Sequence, residues 1–319
     1  MHPSFSVIFF TVASGAGYGL LFWLAVLVML NAIPVAPADP WFGFLAMGAA
    51  LGLITFGLMS STQHLGHPER AWRAFSQWRS SWLSREGVMA VLTYLPAGLL
   101  GLSWVFWSDV GGVITFVALL AAIGAWLTVL TTGMIYASLK PVPEWHTPYT
   151  MPGYLLLAAA TGAVLVNAFA QGFAVATEIT VVFAVINLAA AWAWKTATWC
   201  HQDALKPTFS AGDAVGLPGS EVKVLELPHG ERNYLLKEMG FVIGRRHAAK
   251  LRRLVHGLLF AAPILLLLLG LFVAKPGGVI LAMLACCSAA LGVVIERWLF
   301  FAEATHLVQL YYGRHLRKG

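Results

Sequence analysis

Charge is scarce in this sequence. Only 11% of its 319 residues are Asp, Glu, Lys or Arg, where an ordinary soluble domain has about 25%. Cysteine is scarcer: Cys200, Cys286 and Cys287 are the three in the chain. Iron–sulfur and zinc sites need several Cys or His at set spacings, and an adjacent cysteine pair inside an apolar run reads as packing. A metal–sulfur cluster in this chain is therefore not expected, and if the protein moves electrons the clusters belong to a partner. Internal repeats, low-complexity tracts and broken helix pairs with polar centres are lacking too, which argues against a solute transporter.

What is present is apolar. Hydrophobic residues make up 59% of the chain, with 13 Trp and 19 Phe. Nearly uncharged stretches of 20 or more residues recur along the whole length, each long enough to cross a hydrocarbon core of about 30 Å. The opening "MHPSFS" has no Lys or Arg before the first apolar run and does not read as a signal peptide. Eight spans are expected, at about 7–31, 41–62, 86–107, 112–137, 151–171, 174–195, 254–273 and 278–301, punctuated by turn formers such as "IPVAPADP", "SDVGG" and "KPGG". The expected fold is an all-α integral membrane protein with eight transmembrane helices in one membrane domain, 1–319.

Orientation follows from the basic residues. With span ends counted toward their nearer loop, 19 of the 20 Lys and Arg fall on the side that holds both termini, and Lys275 alone falls on the other. Leaving out the long segment 196–253 still leaves 9 against 1. By the positive-inside rule that side is the cytoplasm, so both termini are expected inside a bacterial cytoplasmic (inner) membrane. The net charge of +6 then belongs beside anionic headgroups, and no nucleic acid is called for.

Polar chemistry concentrates in "SSTQHLGHPERAWRAFSQWRSSWLSREG", residues 60–87. His64 ends the second span and Glu86 opens the third, so both sit near one membrane face, on adjacent helices if sequential helices pack together. A quinone head group needs a hydrogen bond at each carbonyl oxygen and a proton route when its redox state changes. A histidine and a carboxylate at one depth suit that chemistry. The structural alternative is that His64 caps a helix and Glu86 pairs with Arg85, Arg79 or Arg70. Trp72, Trp78 and Trp82 read as interfacial anchors, and Glu69 with Arg73, spaced i,i+4, as a pair on a short interfacial helix.

Other polar residues have plainer readings. Glu296 and Arg297 form a local ion pair, and Glu178 opens the sixth span near the outer face. Asn167 and Asn187 are expected as interhelical donors, and the glycines of "SGAGYG" (14–19) and "GAALG" (48–52) as close-approach points. A b-type haem needs two histidines facing each other inside helices. His64, His256, His201 and His306 are the candidates, and none has a partner at equal depth. Within 196–253, "ERNYLLKEMGFVIGRRHAAKLRRLVHG" reads as a basic amphipathic helix running into span seven, either on anionic lipid or against a cytoplasmic subunit.

The segments "HPSFSVIFFTVASGAGYGL", "HLGHPERAWRAFSQWRSSWLSREG" and "NYLLKEMGFVIGRRHAAKLR" resemble the DMSO reductase anchor-subunit family over essentially the whole chain. The resemblance implies a quinone-binding membrane anchor. Its partners would be a four-cluster ferredoxin-like iron–sulfur subunit with [4Fe-4S] clusters and a catalytic subunit with molybdopterin guanine dinucleotide. It implicates the His of the His-Leu-Gly run and the Glu of the Ser-Arg-Glu run in binding ubiquinone or menaquinone, here His64 and Glu86. Arg70 and Arg85 join them as candidate quinone-site residues. Arg70, Arg73 and Arg85 are the cations expected to tune the charge of Glu86, and Arg73, Arg79, Arg245 and Arg246 are candidates for partner docking. The cytoplasmic bias and the opening segment look most like the subgroup that serves sulfite dehydrogenases, in which electrons from sulfite reduce quinone. The alternatives are an anchor of a DMSO, polysulfide or tetrathionate reductase that oxidises quinol, or an anchor bearing haem b.

Overall fold

A computed structural model describes residues 2–33, 38–62, 67–206, 209–223, 225–226 and 243–312, without the side chains of Ile243 and Arg245. His64 lies outside these residues, as does 227–242, which holds most of the first half of the expected basic helix.

Among the described residues, eight helices are long and apolar enough to cross a membrane. They are α1 (Phe5–Met29), α2 (Pro40–Thr62), α3 (Trp82–Trp107), α4 (Val113–Ala137), α5 (Thr150–Phe173), α6 (Thr177–Ala204), the span Arg246–Gly270, and α10 (Gly277–Ala302). A short α7 (Ala211–Ala214) follows α6. The Arg246–Gly270 span is composite. A basic helix α8 (Ile243–Val255) passes into a π-helical turn, His256–Ala261, and then into α9 (Ala262–Gly270). Pro263 explains the wide turn: it has no N–H to give, and its ring crowds the carbonyl four residues back, at Leu259. The described half of the expected basic helix, from Ile243, therefore runs into span seven.

α1 sits at the centre, packed against α2, α4, α5 and α10. Sequential packing is thus only part of the arrangement. Small residues permit it: a Cβ on Gly19 would collide with the carbonyl of Ala158, and one on Gly162 with the backbone of Gly19, so α1 and α5 touch backbone to backbone. Gly17 meets the Ala50 carbonyl, and Gly57 meets Ser14. The expectation for "GAALG" is corrected in detail. Gly48 and Gly52 face open space, and Ala50 between them makes the contact with α1.

Outward faces carry the opposite pattern to a soluble protein. Phe56, Leu95, Phe116 and Leu291 are exposed, as they should be where lipid replaces water. Tryptophans do more than mark the interface. Trp23 Nε1 donates to the Ala159 carbonyl at 2.8 Å, Trp194 Nε1 to the Tyr149 carbonyl at 3.0 Å, and Trp145 Nε1 to the Phe300 carbonyl at 2.9 Å. Each indole ties one segment of chain to another. Of the two asparagines, Asn167 accepts from Thr180 Oγ1 at 3.1 Å and joins α5 to α6. Asn187 instead donates to the Phe183 carbonyl of its own helix, so its expected interhelical role is not what the structure has.

Candidate functional site

Glu86 lies in the second turn of α3, because that helix begins at Trp82 rather than at the hydropathy boundary. The first turn, Trp82–Arg85, is amphipathic enough to be helical in the interface. Four residues in, Glu86 stands about 6 Å along the helix axis from its start, and it is buried at 4% exposure. Its Oε1 accepts a short hydrogen bond from Thr132 Oγ1 of α4. The Thr132 hydroxyl is also 3.0 Å from the Thr128 carbonyl, and its single proton serves one acceptor at a time. Tyr18, Tyr136 and Tyr154 surround the carboxylate within electrostatic range. No described side chain pairs with Oε2.

Deeper along α3, hydroxyls continue the seam. Thr93 Oγ1 and Thr128 Oγ1 are 3.2 Å apart, and Tyr94 Oη lies 2.6 Å from Thr55 Oγ1 of α2. As an ionisable residue turned into the bundle, in contact with a polar seam, Glu86 is the candidate functional site of this membrane domain.

The arginines expected around Glu86 are elsewhere. Residues Pro68–Gln77 form a 3-10 helix on the surface, which lays Arg70 and Arg73 along the interface. Arg70 Nε is 3.7 Å from Glu69, the Arg73 guanidinium lies over Trp72 at 5.7 Å, and that of Arg79 over Trp78 at 5.4 Å. Arg85 stacks over Trp82 at 4.2 Å and donates to the carbonyls of Trp78 and Arg79 at 2.9 and 2.7 Å. Neighbouring positions on a helix point about 100° apart, so Arg85 faces the surface while Glu86 faces in. Arg70, Arg73 and Arg85 therefore do not pair with Glu86. Nor does Glu69 pair with Arg73. In a 3-10 helix i and i+3 align rather than i and i+4, and Glu69 meets His67 Nδ1 at 3.0 Å instead.

The 3-10 helix is nonetheless seated on α3. The Ser84 hydroxyl donates to the Ala74 carbonyl, and Phe75 lies where a Cβ on Gly87 would be 3.2 Å from its ring. Arg246 is exposed at the start of α8, and the side chain of Arg245 lies outside the described residues.

A second constellation lies at the same face and was only partly expected. Glu296, fully buried and about 9 Å from the end of α10, accepts from Arg297 Nη2 at 2.7 Å and is also paired with Lys195 Nζ of α6. Lys195 lies over Trp199 at 4.8 Å, and Arg297 over Tyr154 at 4.5 Å and Phe300 at 4.7 Å. Two cations and one anion leave one formal positive charge in the bundle. Nearer the surface, Arg252 bridges Asp203 at 2.7 Å and Glu303 at 2.8 Å. Burial pushes the Glu303 carboxyl above its ordinary value, and Arg252 opposes that shift. The Glu296–Arg297 pair is legible from adjacency. Lys195 is the one lysine within an otherwise uncharged apolar run, and that was the available signal for the triad.

The described histidines named for haem have local partners or lie apart. His256 Nδ1 accepts from Trp192 Nε1 at 2.7 Å, His306 Nδ1 accepts from the Val308 N–H at 3.1 Å, and His201 packs on Tyr149. Among the described residues no three His, Cys, Asp or Glu side chains gather as a metal site would require.

The family profile described as DMSO reductase anchor subunit (DmsC) matches residues 1–313. The sulfite dehydrogenase C-subunit of Allochromatium vinosum is 33% identical over 339 aligned positions, which cover 98% of this chain and 99% of that protein. No solved structure matches. With eight apolar helices of membrane-crossing length and a family match over nearly its whole length, the chain belongs to the DMSO reductase anchor-subunit family.

Proposed function

We propose that this anchor passes electrons from an iron–sulfur subunit to membrane quinone, within a complex whose molybdenum subunit oxidises sulfite to sulfate. The observation that carries this reading is Glu86: a carboxyl group buried near one membrane face, hydrogen-bonded by Thr132, with no cation and no partner for Oε2 among the described residues. This arrangement fits a quinone head group: the protonated carboxyl donates to a quinone carbonyl oxygen, and the carboxylate accepts from a quinol hydroxyl. Glu86 holds one side of the head group and exchanges a proton there, and His64 holds the other. A bound quinone supplies the two-electron acceptor.

The sulfite assignment rests on the similarity to a sulfite dehydrogenase subunit. The Lys and Arg bias supports a Glu86 face on the cytoplasmic side of a bacterial inner membrane. Lys195 and Arg297 are neutralised in part by Glu296 inside the bundle, and setting both aside leaves the bias intact. The soluble partners dock on that same face, where Arg73, Arg79, Arg245 and Arg246 are the contacts we assign to them, because electrons must reach the quinone over a short distance.

The test uses the complete complex. Glu86→Gln or His64→Ala should abolish sulfite-to-quinone transfer while sulfite oxidation with a soluble dye continues. Undiminished quinone reduction in both variants would overturn the reading.

A further inference from the structure

Two cavities lie side by side within the bundle, on the face that carries Glu86. The first, between α1, α4, α5 and α10, is lined by Thr11, Ser14, Tyr18, Thr132, Tyr154 and Arg297 among others. The second, between α5, α6 and α10, is lined by Thr150, Lys195, Thr198, Gln202 and again Arg297. Each has about 20 Å³ open to the centre of a water molecule. One water needs roughly 10–15 Å³ by that measure, so either cavity admits water and neither admits a quinone ring.

The first cavity has polar groups in want of a partner. The hydroxyls of Tyr18 and Tyr154 are buried, at 2% and 6% residue exposure; Thr128 lies near the first and Arg297 near the second, but among the described residues neither hydroxyl meets a partner at full hydrogen-bond geometry. A buried polar group left unpaired costs about 1–3 kcal/mol, and ordered water is the usual remedy where space allows. Both tyrosines line this cavity, and so does Thr132, whose hydroxyl reaches Glu86.

At the other end, Gln202 of the second cavity donates to the Glu144 carbonyl at 3.0 Å, and Glu144 is anchored in the 138–149 loop by Thr305. Arg297 stands between the two cavities. Its guanidinium keeps its charge, and Glu296 and Tyr154 hold it in place. The other ionisable groups facing this path are Tyr18, Tyr94 and Tyr136 on the Glu86 side, and Tyr149 and Lys195 on the loop side.

We infer that the two cavities hold ordered water, and that this water with the hydroxyls of Thr132 and Tyr154 forms an internal proton route from the 138–149 loop to Glu86. The inference rests on the reading of Glu86 as the proton-exchanging group of a quinone site. Conversion of a quinone to a quinol takes two electrons, from the iron–sulfur subunit, and two protons. The route carries protons inward to replace those that Glu86 gives up. Arg297 positions water on both sides and does not itself give up a proton.

The experiment compares Thr132→Val, Thr132→Ser and Tyr154→Phe in the complete complex. Each keeps the side-chain volume close to native, and Tyr154→Phe removes only the hydroxyl, which lies near Arg297 and Tyr136, and keeps the ring under Arg297. Thr132→Val and Tyr154→Phe should lower sulfite-to-quinone turnover by about a hundredfold, the lower end of what a positioned proton-transfer group contributes. KM for quinone and turnover with a soluble dye should hold, the solvent deuterium isotope effect should rise, and Thr132→Ser should restore the native rate. Infrared spectra of the purified complex in heavy water supply a second readout independent of turnover. Deuterium exchange at the Glu86 carboxyl should slow in Thr132→Val and Tyr154→Phe.

Native turnover, isotope effect and exchange in those two variants, with Glu86→Gln inactive, would overturn the route and leave the quinone site standing. Native quinone turnover in Glu86→Gln would overturn both.

Discussion

Lys195 of α6 and Glu296 of α10 form an ion pair inside the membrane domain, and Arg297 holds both oxygens of the same carboxylate. This is a joint between two helices that no short loop connects. It places a net positive charge beside Tyr154 and the cavities that reach Thr132.

Glu296→Gln should be the most damaging change in that joint, because it strands two buried cations. Breaking a buried pair from one side costs about 3–5 kcal/mol, read as a lower thermal midpoint of the detergent-purified complex. Lys195→Met leaves Glu296 paired one to one with Arg297 and should cost less. The reverse order would contradict the triad.

The α1–α5 crossing should tolerate no side chain at its closest point. Gly162→Leu should prevent accumulation of folded protein, since a Cβ there already meets the Gly19 backbone. Gly48→Leu and Gly52→Leu face open space and should accumulate normally. Immunoblots of membrane fractions decide it.

Sidedness can be read with reporter fusions. An alkaline phosphatase reporter in the 108–112 connection should be active, on the assignment of both termini to the cytoplasm, and fusions at 138–149 should be inactive. The opposite pattern would reverse the proposed orientation.

A small pH effect is expected at α7. Hydrogen bonds from the Ser210 N–H, and then from its hydroxyl, hold the Asp213 carboxyl below its usual range. A depressed folded-state pKa means the capping interaction is fully present above the ordinary carboxylate range and is lost as pH falls through the lowered value. Ser210→Ala should move the Asp213 carboxyl resonance toward a normal titration, measured with carbon-13 label.

The sequence by itself determined the eight helices, because crossing the hydrocarbon layer requires about 20 apolar residues in a row and that requirement is local. It also carried the family, through the matched runs around His64 and Glu86, and the pairing of adjacent Glu296 and Arg297. Where partners come from distant segments, only the tertiary structure decided. Glu86 meets Thr132 rather than an arginine because α4 lies beside α3 and the 3-10 helix turns Arg70 and Arg73 along the surface. Lys195 reaches Glu296, and Tyr18 and Tyr154 share a cavity, because α1, α5, α6 and α10 meet there. Hydropathy records how far each residue prefers lipid, but not which way it turns or which helix it faces.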